Sequence, residues 1–426
     1  MKADRRVGPA AEEIKNMGMK EKLFEKLDRY CRMDTAASPD SVTYPSTPGQ
    51  GNLARALFAE MKKAGFKKVS MDKYCYVTGE LPSNVSKKVP VIGFLAHMDT
   101  SPAASGRNVK PVLHGRYSGG KIEISKKLGI ILTPENCPPL KDHKGDDIVT
   151  ASGDTLLGAD NKAGIAIIMA AAEYLTAHPE IKHGKIKVAF TPDEEVGNGV
   201  SHFDVKKFGA DFAYTFDGDV KGAVESETFN ADGVSIKVKG KSVHPGTAKN
   251  AMANAVRIVS DIIASWPENM LPETTEGHDG FIMFDEIKGN IEQAEVSGIV
   301  REHDSAKLKK MEKLLEKIVE EKKLKYPLAG IKVEFREQYR NMKRVIDRHP
   351  EVMEKLVKAV KEAGLKPHIK PVRGGTDGAR LSYMGLPTPN VFTGGYNYHG
   401  PYEWVSLDSM VKSYEVFLNL CRLWAE

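Results

Sequence analysis

Three strands of this chain should deliver acids or imidazole at their ends. The continuously apolar residues 89–96 run into His97, Met98 and Asp99, and strand alternation puts His97 and Asp99 on one face. Residues 185–191 lead to Asp193, Glu194 and Glu195, and residues 211–216 lead to Asp217 and Gly218. Between the first two, Gly158, Ala159, Asp160 and Asn161 precede an apolar helical stretch. Near the C-terminus His399 sits in the turn-rich run Gly394, Gly395, Tyr396, Asn397, Tyr398, His399, Gly400. Two histidines and several carboxylates suit a divalent ion such as zinc. A carboxylate shared between two ions is how co-catalytic sites hold metals about 3.5–4 Å apart. The inventory fits a two-metal hydrolase.

Taken singly, each residue has a plainer use. Asp160 makes a good helix N-cap, Asp217-Gly218 a good turn, and Glu194-Glu195 an ordinary solvated loop start. His97 could be a hydrogen-bonded histidine near the core, and His399 a turn residue bonded to backbone. The convergence on one sheet edge sets the group apart, because open α/β sheets bind ligands at the carboxyl ends of their strands. There is no H-E-x-x-H, no G-x-S-x-G and no P-loop, and the Gly49-x-Gly51 pair follows no apolar strand, so serine-hydrolase and nucleotide-binding chemistry get little support.

The elements that must position these groups follow from apolar periodicity. Residues 89–96, 185–191 and 211–216 are too uniformly apolar for half-exposed strands and read as buried, parallel ones. Helical spacing at Leu53, Leu57, Phe58 and Met61 stops at Gly65, and residues 163–175 form a second apolar helix. From Phe229 the grammar changes: Val234, Ile236 and Val238 alternate with polar residues, as in a sheet with one wet face. A helix near residues 251–263, another starting at Asp304 or Ser305 with Leu308, Met311, Leu315, Ile318 and Val319 on one stripe, and a strand at Ile331, Val333 and Phe335 complete a two-layer block. The wound pattern returns after Arg348, with helices through Val352–Val360 and Val411–Leu420. The fold class expected is α/β, a wound mixed sheet (residues 1–228 and 343–426) carrying an inserted α+β domain (residues 229–342) on short hinges.

The chain has 426 residues, enough for two or three domains, with 41% hydrophobic and 28% charged residues. Its net charge is small, 62 basic against 57 acidic residues for +5, and the signs are interspersed, so no nucleic-acid partner is expected. No apolar stretch approaches the roughly 20 residues of a membrane helix. Cys31, Cys75, Cys137 and Cys421 are scattered without a C-x-x-C pair, and Met1–Arg5 lacks the apolar core of a secretory signal; a reduced, cytoplasmic protein is expected.

Five segments carry a family resemblance: Ala96-His97-Met98-Asp99-Thr100, residues 157–164 (LGADNKAG), residues 192–197 (PDEEVG), residues 373–378 (RGGTDG) and residues 394–401 (GGYNYHGP). In this order the chain resembles the peptidase T family of tripeptide aminopeptidases, within the wider aminoacylase and carboxypeptidase group of two-metal metallopeptidases. The resemblance implies one metal held by His97, Asp160 and Asp217 and a second by Asp160, Glu195 and His399, with Asp160 bridging. It implies Glu194 as general base and Asp99 as the group that orients the His97 imidazole. The cofactor implied is a pair of divalent ions, zinc first, with cobalt or manganese also accommodated. One position departs from the family pattern, Asn161 standing where a second aspartate is expected, and a cis peptide is implied between Asp160 and Asn161.

The resemblance also extends to the inserted domain. Its segment Ser242-Val243-His244-Pro245-Gly246 resembles the family segment whose histidine reaches the neighbouring subunit's site, so a homodimer is implied, with the inserted domain as dimerisation and lid domain and His244 stabilising the oxyanion. Arg301, Asn341 and Arg373 match positions that bind the peptide's carboxylate or backbone. The alternatives within enzymes are a related two-metal dipeptidase or an N-acyl amino acid amidohydrolase. Outside enzymes the alternative is a non-catalytic dimeric peptide binder.

Overall fold

The computed structural model describes residues 9–426, so the start of the polar N-terminal stretch lies outside the described residues. From Pro9 the chain forms helix α1 (Pro9–Cys31), which the sequence reading did not anticipate before residue 20. Leu23, Leu27 and Tyr30 on this helix are buried, and Met19 packs against the same core. Helix α2 (Pro48–Lys63) starts on a proline in its first turn and ends just before Gly65, whose φ of +86° suits a residue without a side chain.

The chain divides into two compact units. The first holds the described chain up to Ser226 together with Arg344–Lys370 and Thr376–Glu426; the second is Glu227–Lys343 with Pro371–Gly375. The small second return of the chain, residues 371–375, has no counterpart in the sequence reading.

The first unit is built on an eight-stranded sheet of β1 (Lys67–Met71), β2 (Val77–Leu81), β3 (Ile92–His97), β4 (Ile186–Thr191), β5 (Phe212–Gly218), β6 (Ala223–Thr228), β7 (His368–Val372) and β8 (Asn390–Phe392). Its order is β1-β2-β4-β3-β5-β8-β6-β7. Strand β3 runs parallel to both β4 and β5, and β5 parallel to β8, while β1–β2, β2–β4 and β6–β8 are antiparallel. The sheet is therefore mixed, with its parallel strands central and buried as their unbroken apolar sequences require.

Helix α3 (Ala159–Ala177) packs on the sheet with most of its residues buried, alanine and isoleucine filling the space to the sheet. Contact is closest at Gly164, where an added Cβ would meet the Phe216 carbonyl oxygen at 2.1 Å and Asn161 Oδ1 at 2.3 Å. A smaller sheet, Gly395–Tyr396, Trp404–Ser406, Ile148–Thr150 and Val112–His114 in that order, carries the turn that holds His399.

The second unit is an antiparallel sheet in the order Phe281–Gly289, Gln293–Glu302, Asn230–Lys239, Gly330–Tyr339. Helices Ala255–Ile263 and Ser305–Lys325 cover one face, and their apolar stripes form a core with Val234, Ile236 and Val238. Among the described residues no helix is long and apolar enough to cross a membrane, and all four cysteines are free.

Because the Phe216 carbonyl cannot yield without moving β5 and the Asn161 side chain is buried and bonded to Gly164 N, Gly164→Ala is expected to cost about 1–3 kcal/mol of stability. Urea denaturation of the metal-free protein measures this; an unchanged midpoint would show that helix α3 can back away from the sheet.

Candidate metal centre

Strand β3 ends at His97 in the buried interior, with 3% of its surface exposed. Its Nε2 lies 3.0 Å from Asp160 Oδ1 and 3.3 Å from Asp217 Oδ1. Asp217 is the penultimate residue of β5, the neighbouring parallel strand, so both side chains emerge at one sheet edge. Asp160 arrives from the turn into α3, where Gly158 adopts φ +80° and the Asp160–Asn161 peptide bond is cis. The other Asp160 oxygen, Oδ2, lies 3.2 Å from His399 Nε2, which in turn stands 3.1 Å from Glu195 Oε2.

The arrangement is two overlapping triads. The ligand atoms of His97, Asp160 and Asp217 lie within 4.8 Å of one another, and so do those of Asp160, Glu195 and His399. Asp160 belongs to both and turns a different oxygen to each histidine. Among the described residues no further such group of three exists.

Asp99 does two jobs. His97 Nδ1 sits 3.1 Å from its backbone carbonyl and 3.4 Å from its carboxylate, which fixes the ring so that Nε2 faces the acids. The two carboxylate oxygens each accept a backbone hydrogen bond, from Glu194 N and Glu195 N, both at 3.0 Å. Glu194 is thereby tied by its backbone to the strand that carries His97.

Two acids that the sequence reading did not assign complete the site. Glu403 is fully buried and accepts from the backbone N–H groups of Leu157, Gly158 and Asp160 at 2.8, 2.9 and 3.1 Å, fixing the turn that presents Asp160. Nothing in its sequence neighbourhood, between Tyr402 and Trp404, signals this. Asp377 accepts from Thr191 Oγ1 at 2.7 Å, and its charge falls on Glu194. It lies in the RGGTDG segment, which did carry a signal. Asn161, the departure from the family pattern, is buried, and its Oδ1 accepts from Gly164 N at 3.2 Å.

So many buried acids work against one another. Burial lifts Glu194 well above the usual carboxylate range, and the charges of Asp217, Asp377 and Glu195 add to it. Burial and the neighbouring Asp160 charge push Glu195 up to about 7. His399, bonded to Asp160 and Glu195, is raised to about 10. Burial alone would depress His97, but Asp217 and Asp160 outweigh it and hold the ring well above its ordinary value. Glu195 Oε1 is buried with no hydrogen-bond partner. A cluster of this kind is short of positive charge, and imidazole with carboxylate oxygen is the donor set of zinc and similar ions, so the residues fit a bound metal pair.

The remaining candidates lie in the second unit. Arg373 lies against the perpendicular Phe229 and Phe281 rings, 5.2 and 5.5 Å from their centroids. Its terminal nitrogens donate to the carbonyls of Gly277 and Asp279 at 2.9 and 3.0 Å and to Thr275 Oγ1 at 2.9 Å. Arg301 donates to the Arg373 carbonyl at 3.3 Å, leaving its buried Nε without a partner. Asn341 spans the strand ends, donating to the His303 carbonyl at 3.1 Å and accepting from Thr228 N at 3.2 Å. His244 lies on an exposed turn and accepts from Gly246 N at 3.1 Å.

Paired acid and imidazole triads at the strand ends of a wound sheet define a metallohydrolase, and the chain belongs to peptidase family M20/M25/M40, whose family model matches residues 154–423. Within it the chain is similar to peptidase T of Bacillus licheniformis, 48% identical over 408 residues that span 96% of this chain and all of that protein. The fold matches the crystal structure of aminopeptidase PepT from Bacillus cereus (TM-score 0.75, 20% identity, 96% of this chain and 99% of that one). It also matches that of a tripeptidase from Staphylococcus aureus (TM-score 0.76, 19% identity, 95% and 98%). The sequence and fold place this chain in the peptidase T branch as an aminopeptidase.

The raised value of Glu195 has a sign that can be tested. Between the ordinary 4.5 and about 7, the folded metal-free chain holds a proton that the unfolded chain has lost, so stability falls as pH rises through that window. Bound divalent ions would replace that proton. Calorimetry should show the metal-free protein losing thermal stability from about pH 5 to 7 and the metal-loaded protein losing much less; equal losses in both forms would clear the cluster of responsibility.

Proposed function

We propose that this enzyme releases the N-terminal residue of tripeptides at a two-metal centre, with Glu194 as general base. The observation that carries it is the pair of triads sharing Asp160, with Glu194 held beside them by Asp99. His97, Asp160 and Asp217 would hold one divalent ion and Asp160, Glu195 and His399 the other, zinc by donor chemistry, with cobalt or manganese fitting the same set. Bound there, the ions would acidify the attacking water and polarise the scissile carbonyl.

The protein's own residues do the rest. Glu194 takes the proton of the attacking water and delivers it to the leaving amine, and its raised affinity for protons suits a group that must hold one between the two steps. Asp99 keeps the His97 ring and the Glu194 backbone in register. In the second unit, Arg301 and Arg373, with Asn341, are assigned to the carboxylate and backbone of the peptide. Of the two arginines Arg301 has the unpartnered donor, whereas Arg373 gives most of its donors to the 275–279 loop. His244, exposed on its turn, would meet the oxyanion of a neighbouring subunit, so the working form is a homodimer whose second unit supplies the dimer contact and lid. The place of action is the cytoplasm, in keeping with four unpaired cysteines.

Replacing Glu194 by Gln removes the proton acceptor while keeping the side chain's shape. The variant should retain its metal by elemental analysis and lose about 10²–10⁴-fold in kcat; a kcat near the original would take the general-base role away from it.

Substrate class is decided by a matched panel of a dipeptide, a tripeptide, a tetrapeptide and an N-acetylated tripeptide, assayed with zinc, cobalt or manganese restored after chelation. Metal-dependent release of the first residue from the free-amine tripeptide is expected to dominate. Preference for the dipeptide or the acetylated peptide would move the enzyme to a sister specificity, and no cleavage with any metal would make it a peptide binder.

A further inference from the structure

We propose that Ser46 and Gln50 are positioning residues for the reaction: they clamp Asp193 in the conformation that presents Glu194 and Glu195 to the site. The proposal rests on Glu194 being the general base. Asp193 is the hinge between strand β4 and these two acids, and its φ of +56° lies in the left-handed region that side chains other than glycine's seldom adopt. Such a conformation persists only where the surroundings over-determine it, and such residues gather at active sites.

The surroundings here are specific. Asp193 is 1% exposed. Ser46 donates to it twice, N–H to Oδ2 at 2.7 Å and Oγ to Oδ1 at 2.5 Å. Gln50, itself fully buried, donates from Nε2 to Oδ1 at 2.6 Å, and its Oε1 accepts the Asp193 backbone N–H at 3.0 Å. One amide side chain therefore grips both the backbone and the carboxylate of the same residue, which fixes its torsions instead of merely its place. Among the described residues no lysine, arginine or histidine pairs with Asp193. A buried carboxylate without a cation is a costly way to make a turn that glycine or asparagine could make, so the neutral cradle is there to hold something in place.

The clamp is tied to the metal edge of the sheet. Pro48 opens helix α2, and at Gly49 an added Cβ would stand 2.0 Å from the Asp34 carbonyl oxygen, so only glycine lets the turn close on residues 34–37. Thr47 Oγ1 donates to the Ala36 carbonyl at 2.8 Å, and Ala36 bridges Thr100, the residue after Asp99. Downstream of the hinge, the Asp193 carbonyl accepts from Asn198 N at 2.9 Å and the Glu194 carbonyl from Gly197 N at 2.7 Å. With Asp99 holding the N–H groups of Glu194 and Glu195, the backbone that aims the general base is fixed from two sides. The Ser46-Thr47-Pro48-Gly49-Gln50 run, which as a bare glycine pair had no assignable use, supplies one of them.

The test is steady-state kinetics of Ser46→Ala and Gln50→Met on metal-loaded enzyme, with metal content measured on the same samples. Displacing the base without touching substrate contacts should lower kcat about 10- to 100-fold, with KM and metal content little changed. Asp193→Asn and Gln50→Glu should each be impaired, but the double variant should recover most of the activity, because the new amide can donate to the new carboxylate with the total charge conserved. Unchanged kcat in the two single variants, activity restored merely by excess metal, or no recovery in the double variant would each overturn the proposal. If Gln50→Met folds poorly, Ser46→Ala and the double variant carry the same test. Glu194→Gln assayed alongside separates the two ideas: an active Glu194→Gln defeats the general-base reading, whereas an inactive one beside fully active Ser46 and Gln50 variants defeats only the clamp.

Discussion

Asp160 has one carboxylate and two histidines to face, and the rest of the first unit is arranged around that constraint. Each oxygen must point at a different triad, so the carboxylate plane, the turn before it and the ring of His97 all have to be set within a few tenths of an ångström. Glu403 does this at the backbone level by collecting the N–H groups of Leu157, Gly158 and Asp160 on one buried carboxylate. Gly158 and the tight seat of Gly164 let the turn and α3 approach the sheet closely enough for Asp160 to reach both neighbours.

Electrostatics explains why the scaffold is so extensively hydrogen-bonded. Asp377 and Glu403 are buried, Asp217, Glu194 and Glu195 are half-buried, and all five are displaced upward, because desolvation penalises their charge and neighbouring acids add to the penalty. Backbone N–H groups on Glu403, the Thr191 hydroxyl on Asp377 and two imidazoles on Asp217 and Glu195 offset part of that cost. Bound cations would offset the remainder, which makes metal occupancy and stability two sides of one equilibrium.

The second unit is organised by a different principle. Arg373 spends its planar fork on the carbonyls of the 275–279 loop and lies against two phenylalanine rings, so it works there as a keystone of local structure. Arg301 leans on the Arg373 carbonyl, and Asn341 joins the strand ends. A residue matched to a family's substrate-binding position thus already has structural work, and peptide binding must compete with it or use the donors left over.

The sequence by itself determined the class of fold and brought most of the candidate metal-site residues to one sheet edge. Uniformly apolar strands demanded a buried, largely parallel sheet, and strand periodicity placed His97, Asp217 and the Asp193-Glu194-Glu195 run at its edge. The alternation of Val234, Ile236 and Val238 marked a second sheet with one wet face. Only the tertiary structure decided what joins these pieces. Glu403, Asp377, Ser46 and Gln50 lie between 143 and 246 residues from the groups they bond, and their types are common in ordinary loops. Local periodicity reports which face of an element is apolar, whereas a hydrogen bond across such separations depends on how the elements are stacked, and no local pattern encodes that.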